Sequence, residues 1–328
     1  MPANVRRLTS VDGEIVHDID PAVCPVAAGP IVIDDTLTVD ASADLARSAT
    51  YRAATFEERL AGAAVGIRPR LIDTREETRQ RCHVELGPEI DERRFRPDPL
   101  DLDALARGVV AAAEAWVGPL ERRLVAVHGF DDRARAVARA VVERGARLAG
   151  VSSEHGAIAS AAGLDLDDLE ALRAEHGGLF VTRVDGLDPH HADELLGLAV
   201  DVLVTAGEVG SIDDDVAARM QAGVVVPYTG VPYTAAGLHR LRAQKVVALP
   251  DFVTTAGPFL AAAASAGLPR SEILDRVERL VGERVESARL AKMDPIRYCA
   301  SIAETFLTTW VPAEHRPDGP PLVRPVSW

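Results

Sequence analysis

The hydrophobic pattern of this chain is most regular over Leu124–Gly156. An apolar run, Leu124–Val127, ends at Gly129, which is typical of a buried strand that runs into a turn. Apolar residues then recur three and four positions apart, which predicts a helix with one buried face: Ala134, Val137, Ala138, Val141 and Val142. Gly145 stands where that helix would end, and a second apolar run, Leu148–Val151, follows it. The stretch therefore predicts a strand–helix–strand unit with parallel strands.

Strands and helices keep alternating after this unit. An acidic helix is predicted at Asp165–His176 and a strand at Leu179–Thr182. Three short apolar runs and the amphipathic stretches between them predict further elements. The strands are Val202–Val204, Val224–Val226 and Val246–Leu249, and the helices are Asp213–Gln221 and Ala235–Ala243. This alternation predicts a parallel, doubly wound, Rossmann-like sheet.

The two ends of the chain have a weaker pattern. From Arg68 to Pro99 the sequence is polar and its secondary structure is not defined by the pattern, and Leu60–Ile67 fits a strand or a loop. The predicted elements are strands at Glu14–Val16 and Ile31–Ile33, helices at Asp40–Phe56 and Leu100–Val117, and two helices in Ser271–Trp310 that are broken at Asp294-Pro295.

The predicted fold class is α/β with two domains. A reduced N-terminal α/β domain covers residues 1–118, the Rossmann-like domain covers residues 119–270, and C-terminal helices cover residues 271–310. The tail, residues 311–328, is rich in proline and is predicted to be extended.

The net charge of the chain argues against two classes of binding partner. Its 328 residues carry a net charge of −14, which argues against nucleic acid or an anionic membrane as a partner. No apolar stretch is long enough to span a bilayer, and the first residues have no signal-peptide pattern, so a cytoplasmic protein is expected.

Cys24, Cys82 and Cys299 are widely spaced, so neither a metal site nor a disulfide is predicted. Among 36 basic residues the only lysines are Lys245 and Lys292.

The turn after the first strand of the unit departs from a dinucleotide-binding loop. Such a loop needs glycine at three of six positions, G-x-G-x-x-G, so that the backbone can approach a pyrophosphate. Here the six positions run from Gly129 to Ala134, and Asp131 replaces the second glycine. Asp131 or Asp132 is instead interpreted as the cap of the following helix.

Several segments resemble the glutamate/leucine/phenylalanine/valine dehydrogenase family, in the same order along the chain. VAVHGF with GARLAGVSSEHGAI is similar to that family's cofactor-domain opening, VAVQGFGNVG with GAKVVAVSDSDGAI. The other segments are CPVAAG at Cys24–Gly29, the stretch Ala49–Ile67, AVDVLVTAGEVGSI at Ala199–Ile212, and PDFVTTAG at Pro250–Gly257. The match runs from about Glu14 to Trp310.

The resemblance implies oxidative deamination of an amino acid, with hydride passing to a nicotinamide cofactor, NAD or NADP. It also implies a small amino or keto acid as ligand. The first domain would hold the substrate and build a homo-oligomer, for which a dimer is the expected size.

The resemblance also implies two catalytic lysines and an aspartate that moves protons, and this chain differs at all three positions. The lysine positions are Arg52 and Ala64, and the carboxylate motif corresponds loosely to His83–Gly87, with Glu85 as the candidate. Arg52 can hold a carboxylate through its bidentate guanidinium. Ala64 cannot activate water.

The cofactor positions implied by the resemblance are Gly129, Asp131, Ser153, Thr205 and Thr255. Ser153 stands where an acidic residue would bind the ribose, although Glu154 is adjacent, and Thr255 stands where the family has asparagine. The substitutions predict a degenerate cofactor site.

Three functional hypotheses follow. In the first, the chain is a pseudoenzyme that serves as a non-catalytic partner or small-ligand binder. In the second, it is an enzyme rebuilt for another reaction. The third is an active amino-acid dehydrogenase with an atypical site that relies on Glu85 or a bound water. The rebuilt enzyme would draw on polar residues at or near the family positions: Cys24, Tyr51, Arg52, His83, Glu85, Glu208, Tyr228, Tyr233 and Thr255.

Overall fold

The computed structural model describes residues 4–68, 74–87, 99–264 and 267–322. Contacts divide them into two units, each built around its own sheet. Unit 1 takes the described residues before Asp98 and those from Ile296 onward, and unit 2 takes those between them. The boundary after residue 118 stays a prediction, and the contacts group the helix that precedes it with unit 2.

In its described residues unit 1 is a small mixed sheet with helices. The strands are β1 (Val5–Arg7), β2 (Gly13–His17), β3 (Ala27–Ala28), β4 (Ile31–Ile33) and β5 (Ala61–Ile67), and the helices are α1 (Val39–Thr55) and α2 (Arg75–Leu86). β5 is central: β2 pairs with it antiparallel, while β3 and β4 pair with successive parts of its other edge in parallel. The strand alternative for Leu60–Ile67 is therefore the one that the structure adopts.

Close contact between α1 and β5 depends on glycine. A Cβ atom on Gly62 would lie 1.9 Å from the carbonyl oxygen of Ala46 and 2.4 Å from the amide nitrogen of Thr50. The Gly62 N–H also donates to Thr50 Oγ1 at 2.9 Å. The helix therefore lies directly on the strand backbone, with small residues between them.

Unit 2 contains the sheet predicted from the strand–helix alternation. Its strands are β6 (Leu124–Val127), β7 (Arg147–Ser153), β8 (Gly156–Ala159), β9 (Val202–Thr205), β10 (Val224–Pro227) and β11 (Val247–Ala248). Among the described residues their order is β11-β10-β9-β6-β7-β8; the first five are parallel, and β8 is antiparallel to β7. The predicted α/β class with a parallel, doubly wound sheet is confirmed.

Helices cover this sheet. They are α3 (Pro99–Val117), α4 (Asp132–Glu143), α5 (Leu166–His176), α6 (Asp214–Arg219), α7 (Ala235–Ala243), α8 (Asp251–Thr254), α9 (Gly257–Ala262) and α10 (Arg270–Leu290). A last helix, α11 (Pro295–Leu307), belongs mainly to unit 1, so the predicted break at Asp294-Pro295 is confirmed. Within the described ranges no helix has the length and apolar character that would be needed to cross a bilayer.

Two predicted elements differ from the structure. The strand predicted at Leu179–Thr182 is wrong, because Gly177–Thr182 forms a 3₁₀ helix with Phe180 and Val181 buried. The outer edge of β7 is already paired with β8, so this apolar run packs through its side chains instead. The predicted extended tail includes a short 3₁₀ turn, Ala313–His315, and residues 323–328 lie outside the described residues.

An ion-pair network joins α3, α10 and the end of α4. Glu278 on α10 accepts from Arg107 at 2.9 Å and from Arg144 at 2.6 Å, and Arg144 also donates to Glu114 at 2.7 Å. Burial alone would raise the pKa of Glu278, but the hydrogen bonds and charges of Arg144 and Arg107 lower it. Two carboxylates, Glu278 and Glu114, therefore balance the charges of two guanidinium groups, with Glu278 shared between them.

We expect Glu278→Ala to lower the free energy of unfolding by about 1–2 kcal/mol, because two arginines lose their shared partner. Glu283→Ala is the matched control on the same helix, since Glu283 forms an exposed pair with Arg279 and should cost less than about 0.5 kcal/mol. Urea unfolding of both variants measures the difference. Equal losses for the two variants would contradict the network's role.

Candidate functional site

The candidate site lies at the carboxyl end of the unit 2 sheet, between β6 and β9. The chain proceeds from β6 to β7 on one side, and then continues to β9 on the other side of β6. Open parallel sheets bind their ligands in the crevice at such a reversal. Three predicted cofactor positions, Gly129, Ser153 and Thr205, end or directly follow the strands at this edge.

The loop after β6 keeps part of the dinucleotide-binding geometry. Gly129 has φ +99°, a conformation that only glycine adopts readily, and its N–H donates to Ser152 Oγ at 2.8 Å. Ala134, at the third glycine position, is fully buried where α4 packs on the sheet. The tight turn and the close helix packing are thus retained.

Asp131 changes the second glycine position into a helix cap. Its carboxylate accepts the Ala134 N–H at 2.9 Å, so the capping interpretation is confirmed for Asp131. A phosphate at this helix end would compete with the carboxylate for the same donors and would meet its negative charge. The helix end is therefore already occupied by an anionic group of the chain.

Two side chains cross the crevice above β9. His128, directly after β6, donates from Nδ1 to the carbonyl oxygen of Ala206 at 2.9 Å, and Thr205 Oγ1 lies 3.4 Å from the same nitrogen. Tyr228, directly after β10, reaches over β9 and donates to the carbonyl oxygen of His128 at 2.8 Å. The ends of β6, β9 and β10 are linked by these hydrogen bonds.

Tyr228 also fills the space beside the Gly129 turn. Its side chain is buried, and a Cβ atom on Gly129 would lie 2.6 Å from its hydroxyl oxygen. Burial raises the pKa of Tyr228, the nearby Asp131 carboxylate raises it further, and Arg133 opposes this. The phenol therefore stays protonated and acts as a hydrogen-bond donor at neutral pH.

The remaining cofactor positions also bond to the chain itself. Ser153 Oγ donates to the carbonyl oxygen of Gly178 at 2.7 Å and accepts the His155 N–H at 3.1 Å. Thr205 Oγ1 donates to the carbonyl oxygen of Ala206 at 3.0 Å, and Thr255 Oγ1 to that of Asp251 at 2.7 Å. Each of these hydroxyls therefore has a structural hydrogen bond.

Asp251 holds the loop that follows Tyr228. Its carboxylate is buried and accepts the Val231 N–H at 3.0 Å. Val231 has φ +51°, an unfavourable conformation for a β-branched residue. The buried hydrogen bond fixes this strained turn, and with it the segment that carries Tyr228.

In unit 1 the two lysine positions lie in different environments. Arg52 is half-buried in the last turn of α1, and Ala64 is fully buried in β5, where it pairs with Val16 of β2. The Ala64 side chain is a methyl group inside a sheet. No proton transfer can be assigned to it.

Glu85 faces the loop after β1. Its oxygens accept the Thr9 N–H at 2.9 and 3.0 Å, the Thr9 hydroxyl at 3.1 Å and the Ser10 N–H at 2.8 Å. Burial alone would raise the pKa of Glu85, but the hydrogen bonds from Ser10 and Thr9 lower it to about 2. A carboxylate with such a low pKa is a poor proton acceptor at neutral pH, and its catalytic role stays a prediction.

Three other polar candidates also donate hydrogen bonds to groups of the chain. Tyr51 donates to Glu304 at 3.0 Å, Tyr233 to the carbonyl oxygen of Leu249 at 3.2 Å, and Cys24 to that of Val26 at 3.3 Å. Glu208 is exposed, and the His83 side chain lies outside the described residues. Sequence reasoning missed His128, whose signal was its departure from the glutamine of the similar VAVQGF segment.

As arranged, the loop does not fit a dinucleotide pyrophosphate. Asp131 occupies the helix end, and the Tyr228 hydroxyl occupies the side of Gly129 that a bare glycine would leave open. Glu154, the alternative ribose ligand, is an exposed side chain beside His155. No metal site is indicated either, since no three His, Cys, Asp or Glu side chains cluster suitably within the described ranges.

The fold and the site define an open α/β unit of the dinucleotide-binding type, joined to a smaller α/β unit. Residues 102–266, half of the chain, match the model of the Glutamate/Leucine/Phenylalanine/Valine dehydrogenase family. The chain belongs to this family.

Individual relatives agree with this assignment. Glutamate dehydrogenase A2 of Halobacterium salinarum is 36% identical over 135 residues, which are 40% of this chain and 32% of that protein. The match thus spans about a third of that relative's length.

Solved structures extend the likeness of the fold. A hetero-hexameric glutamate dehydrogenase from Thermus thermophilus, in a Leu-bound form, has a TM-score of 0.73 at 22% identity and covers 93% of this chain and 88% of its own. L-tryptophan dehydrogenase from Nostoc punctiforme has a TM-score of 0.59 at 16% identity and covers 93% and 96%. At these identities the likeness concerns the fold.

Proposed function

We propose that this chain, a member of the amino-acid dehydrogenase family, has lost NAD(P)-dependent oxidative deamination. It acts as a non-catalytic partner or as a small-ligand binder. One observation carries the proposal. The carboxylate of Asp131 and the hydroxyl of Tyr228 occupy the two places where the Gly129 loop would receive a pyrophosphate. The loop therefore keeps the shape of a cofactor-binding loop, but its N–H donors bond to groups of this chain and its open side is filled by the Tyr228 hydroxyl.

The substrate side supports the same proposal. The activating lysine position is Ala64, a methyl group buried in β5, and the only lysines of the chain are Lys245 and Lys292. The carboxylate candidate, Glu85, is bound to the loop at Thr9 and Ser10. Loss of a general base alone costs roughly 10²–10⁴-fold in rate. Arg52 is retained in the proposal as the group that would hold the carboxylate of a small amino or keto acid.

The proposed assembly is an oligomer. One solved relative of this fold is a hetero-hexamer, which supports a role beside a non-identical chain of the same family. A homo-oligomer built through unit 1 is the form proposed for the chain alone. In either form, the fraction of chains with an amino acid bound at Arg52 would follow the amino-acid concentration, so the assembly would respond to that concentration.

We expect no saturable binding of NADH or NADPH by the purified chain up to millimolar cofactor, because bound cofactor would have to displace two internal groups. Fluorescence titration measures this, with an active NAD-linked amino-acid dehydrogenase as the positive control. We also expect no reduction of NAD or NADP with a panel of amino acids. Micromolar cofactor binding together with turnover of any amino acid would overturn the proposed function and support an active enzyme with an atypical site.

A further inference from the structure

Tyr228 is seated by four features of unit 2 that act together. The β10 strand brings it to the carboxyl edge of the sheet, and its hydroxyl donates to the carbonyl oxygen of His128 across β9. The turn that follows is fixed by the buried bond between Asp251 and Val231. The Gly129 turn leaves room for the hydroxyl, since any Cβ there would approach it to 2.6 Å. The ring is buried, so the contact is part of the packed interior.

This arrangement explains why position 129 requires glycine even though Asp131 occupies the second glycine position of the loop. The φ of +99° requires glycine on conformational grounds, and the Tyr228 hydroxyl requires it on steric grounds. A phosphate would accept from N–H groups of the loop, but here the Gly129 N–H donates to Ser152 Oγ and the Ala134 N–H donates to Asp131. Tyr228 adds a separate bond by donating its O–H to a loop carbonyl. The loop is thus held in shape by hydrogen bonds to other groups of the chain.

We propose that Tyr228 is an internal plug of the dinucleotide crevice, which together with the Asp131 cap excludes the cofactor and stabilises the loop. The inference rests on the proposed function and assigns the exclusion to two named side chains. The remaining parts of the crevice, including the buried Ala134 and the reversal of strand order at β6, are retained. Removing both groups should therefore restore access of a dinucleotide to the loop.

The first experiment compares NADH binding by the wild-type chain, Tyr228→Ala, Asp131→Gly and the double variant. Fluorescence titration and circular dichroism of each protein give affinity and fold. We expect the double variant to bind NADH saturably below about 1 mM, where the wild type shows no saturable binding, and the single variants to bind more weakly than the double variant, because each group left in place still opposes the pyrophosphate. A folded double variant with no gain over the wild type overturns the plug.

The second experiment needs no cofactor and uses the smaller change Tyr228→Phe, which removes only the hydroxyl. Gly129→Ala introduces both the backbone strain and the clash with that hydroxyl. In the Tyr228→Phe background only the strain remains, so the loss of Tm caused by Gly129→Ala should be smaller by about 3 °C or more. Strictly additive losses would overturn the steric part of the proposal.

The two proposals fail in different ways. Amino-acid turnover by the wild-type chain refutes the proposed loss of activity, whatever the variants do. A wild-type chain without cofactor binding, combined with a folded double variant that gains none, leaves the proposed function standing and refutes the plug. A gain in the double variant alone supports both.

Discussion

Gly62→Ala will lower the free energy of unfolding by about 3 kcal/mol or more. The new Cβ would lie 1.9 Å from the carbonyl oxygen of Ala46 and 2.4 Å from the amide nitrogen of Thr50. Both atoms belong to the backbone of α1, so no side-chain rotation can relieve the overlap. The helix must move away from β5, and the small residues packed between them lose contact. Urea unfolding followed by circular dichroism measures the loss.

Gly66→Ala is the matched control, because it makes the same substitution in the same strand. There the nearest atoms are Ser42 Oγ at 2.9 Å and Glu14 Oε1 at 3.1 Å, both at the ends of side chains that can rotate. We expect a cost of about 1 kcal/mol or less. If Gly66→Ala cost as much as Gly62→Ala, backbone contact with α1 would not be the cause.

Glu85→Gln is expected to lower the free energy of unfolding by about 2 kcal/mol at neutral pH. The carboxylate accepts hydrogen bonds from the backbone of Thr9 and Ser10. Glutamine keeps one acceptor oxygen and places an N–H₂ group against donors. The loop after β1 would lose the charged acceptor that holds it to α2. Urea unfolding at pH 7 measures the loss.

The contribution of Glu85 depends on pH in a defined direction. Its pKa in the folded chain is about 2, below the ordinary value of 4.5. A lowered pKa stabilises the folded state fully above the ordinary value, and the stabilisation is lost as the pH falls from about 4.5 towards about 2. The difference between wild type and Glu85→Gln should therefore shrink at pH 3.

Glu314→Gln controls for the loss of a negative charge in unit 1. Glu314 is exposed, so its replacement should change the free energy of unfolding by less than about 0.5 kcal/mol at either pH. A Glu85→Gln effect that is equally large at pH 3 and pH 7 would show that the lowered pKa is not its source.

Much of the fold could be predicted from hydrophobic spacing. The unit from β6 through α4 to β7, and the alternation that continues through β9, β10 and α7, gave a strong period at each step. The strand prediction for Leu179–Thr182 was wrong because so short an apolar run does not show which segment of the chain it packs against. The edge that it would have paired with is taken by β8, and this pairing is set by contacts that the local pattern does not contain.

The candidate site was predicted only in part. Asp131 could be identified as a cap because capping is a local property of a carboxylate three residues before an amide. Tyr228 was only one of several polar candidates, since its contact with the Gly129 loop joins segments about a hundred residues apart. The hydrogen bonds of Glu85 to Thr9 and Ser10 are likewise long-range, with sequence separations of 76 and 75. A separation of that size leaves no periodic signal.

The division of the chain into two units sets the order in which the units are completed during synthesis. Unit 1 includes α11, and Tyr51 of α1 is bonded to Glu304 of that helix, 253 residues later. Among the described residues, unit 2 is a continuous segment between them and contains all the strands of its own sheet. On the ribosome, the described residues of unit 2 are therefore synthesised before the last helix of unit 1. Unit 1 begins to emerge first and is completed last.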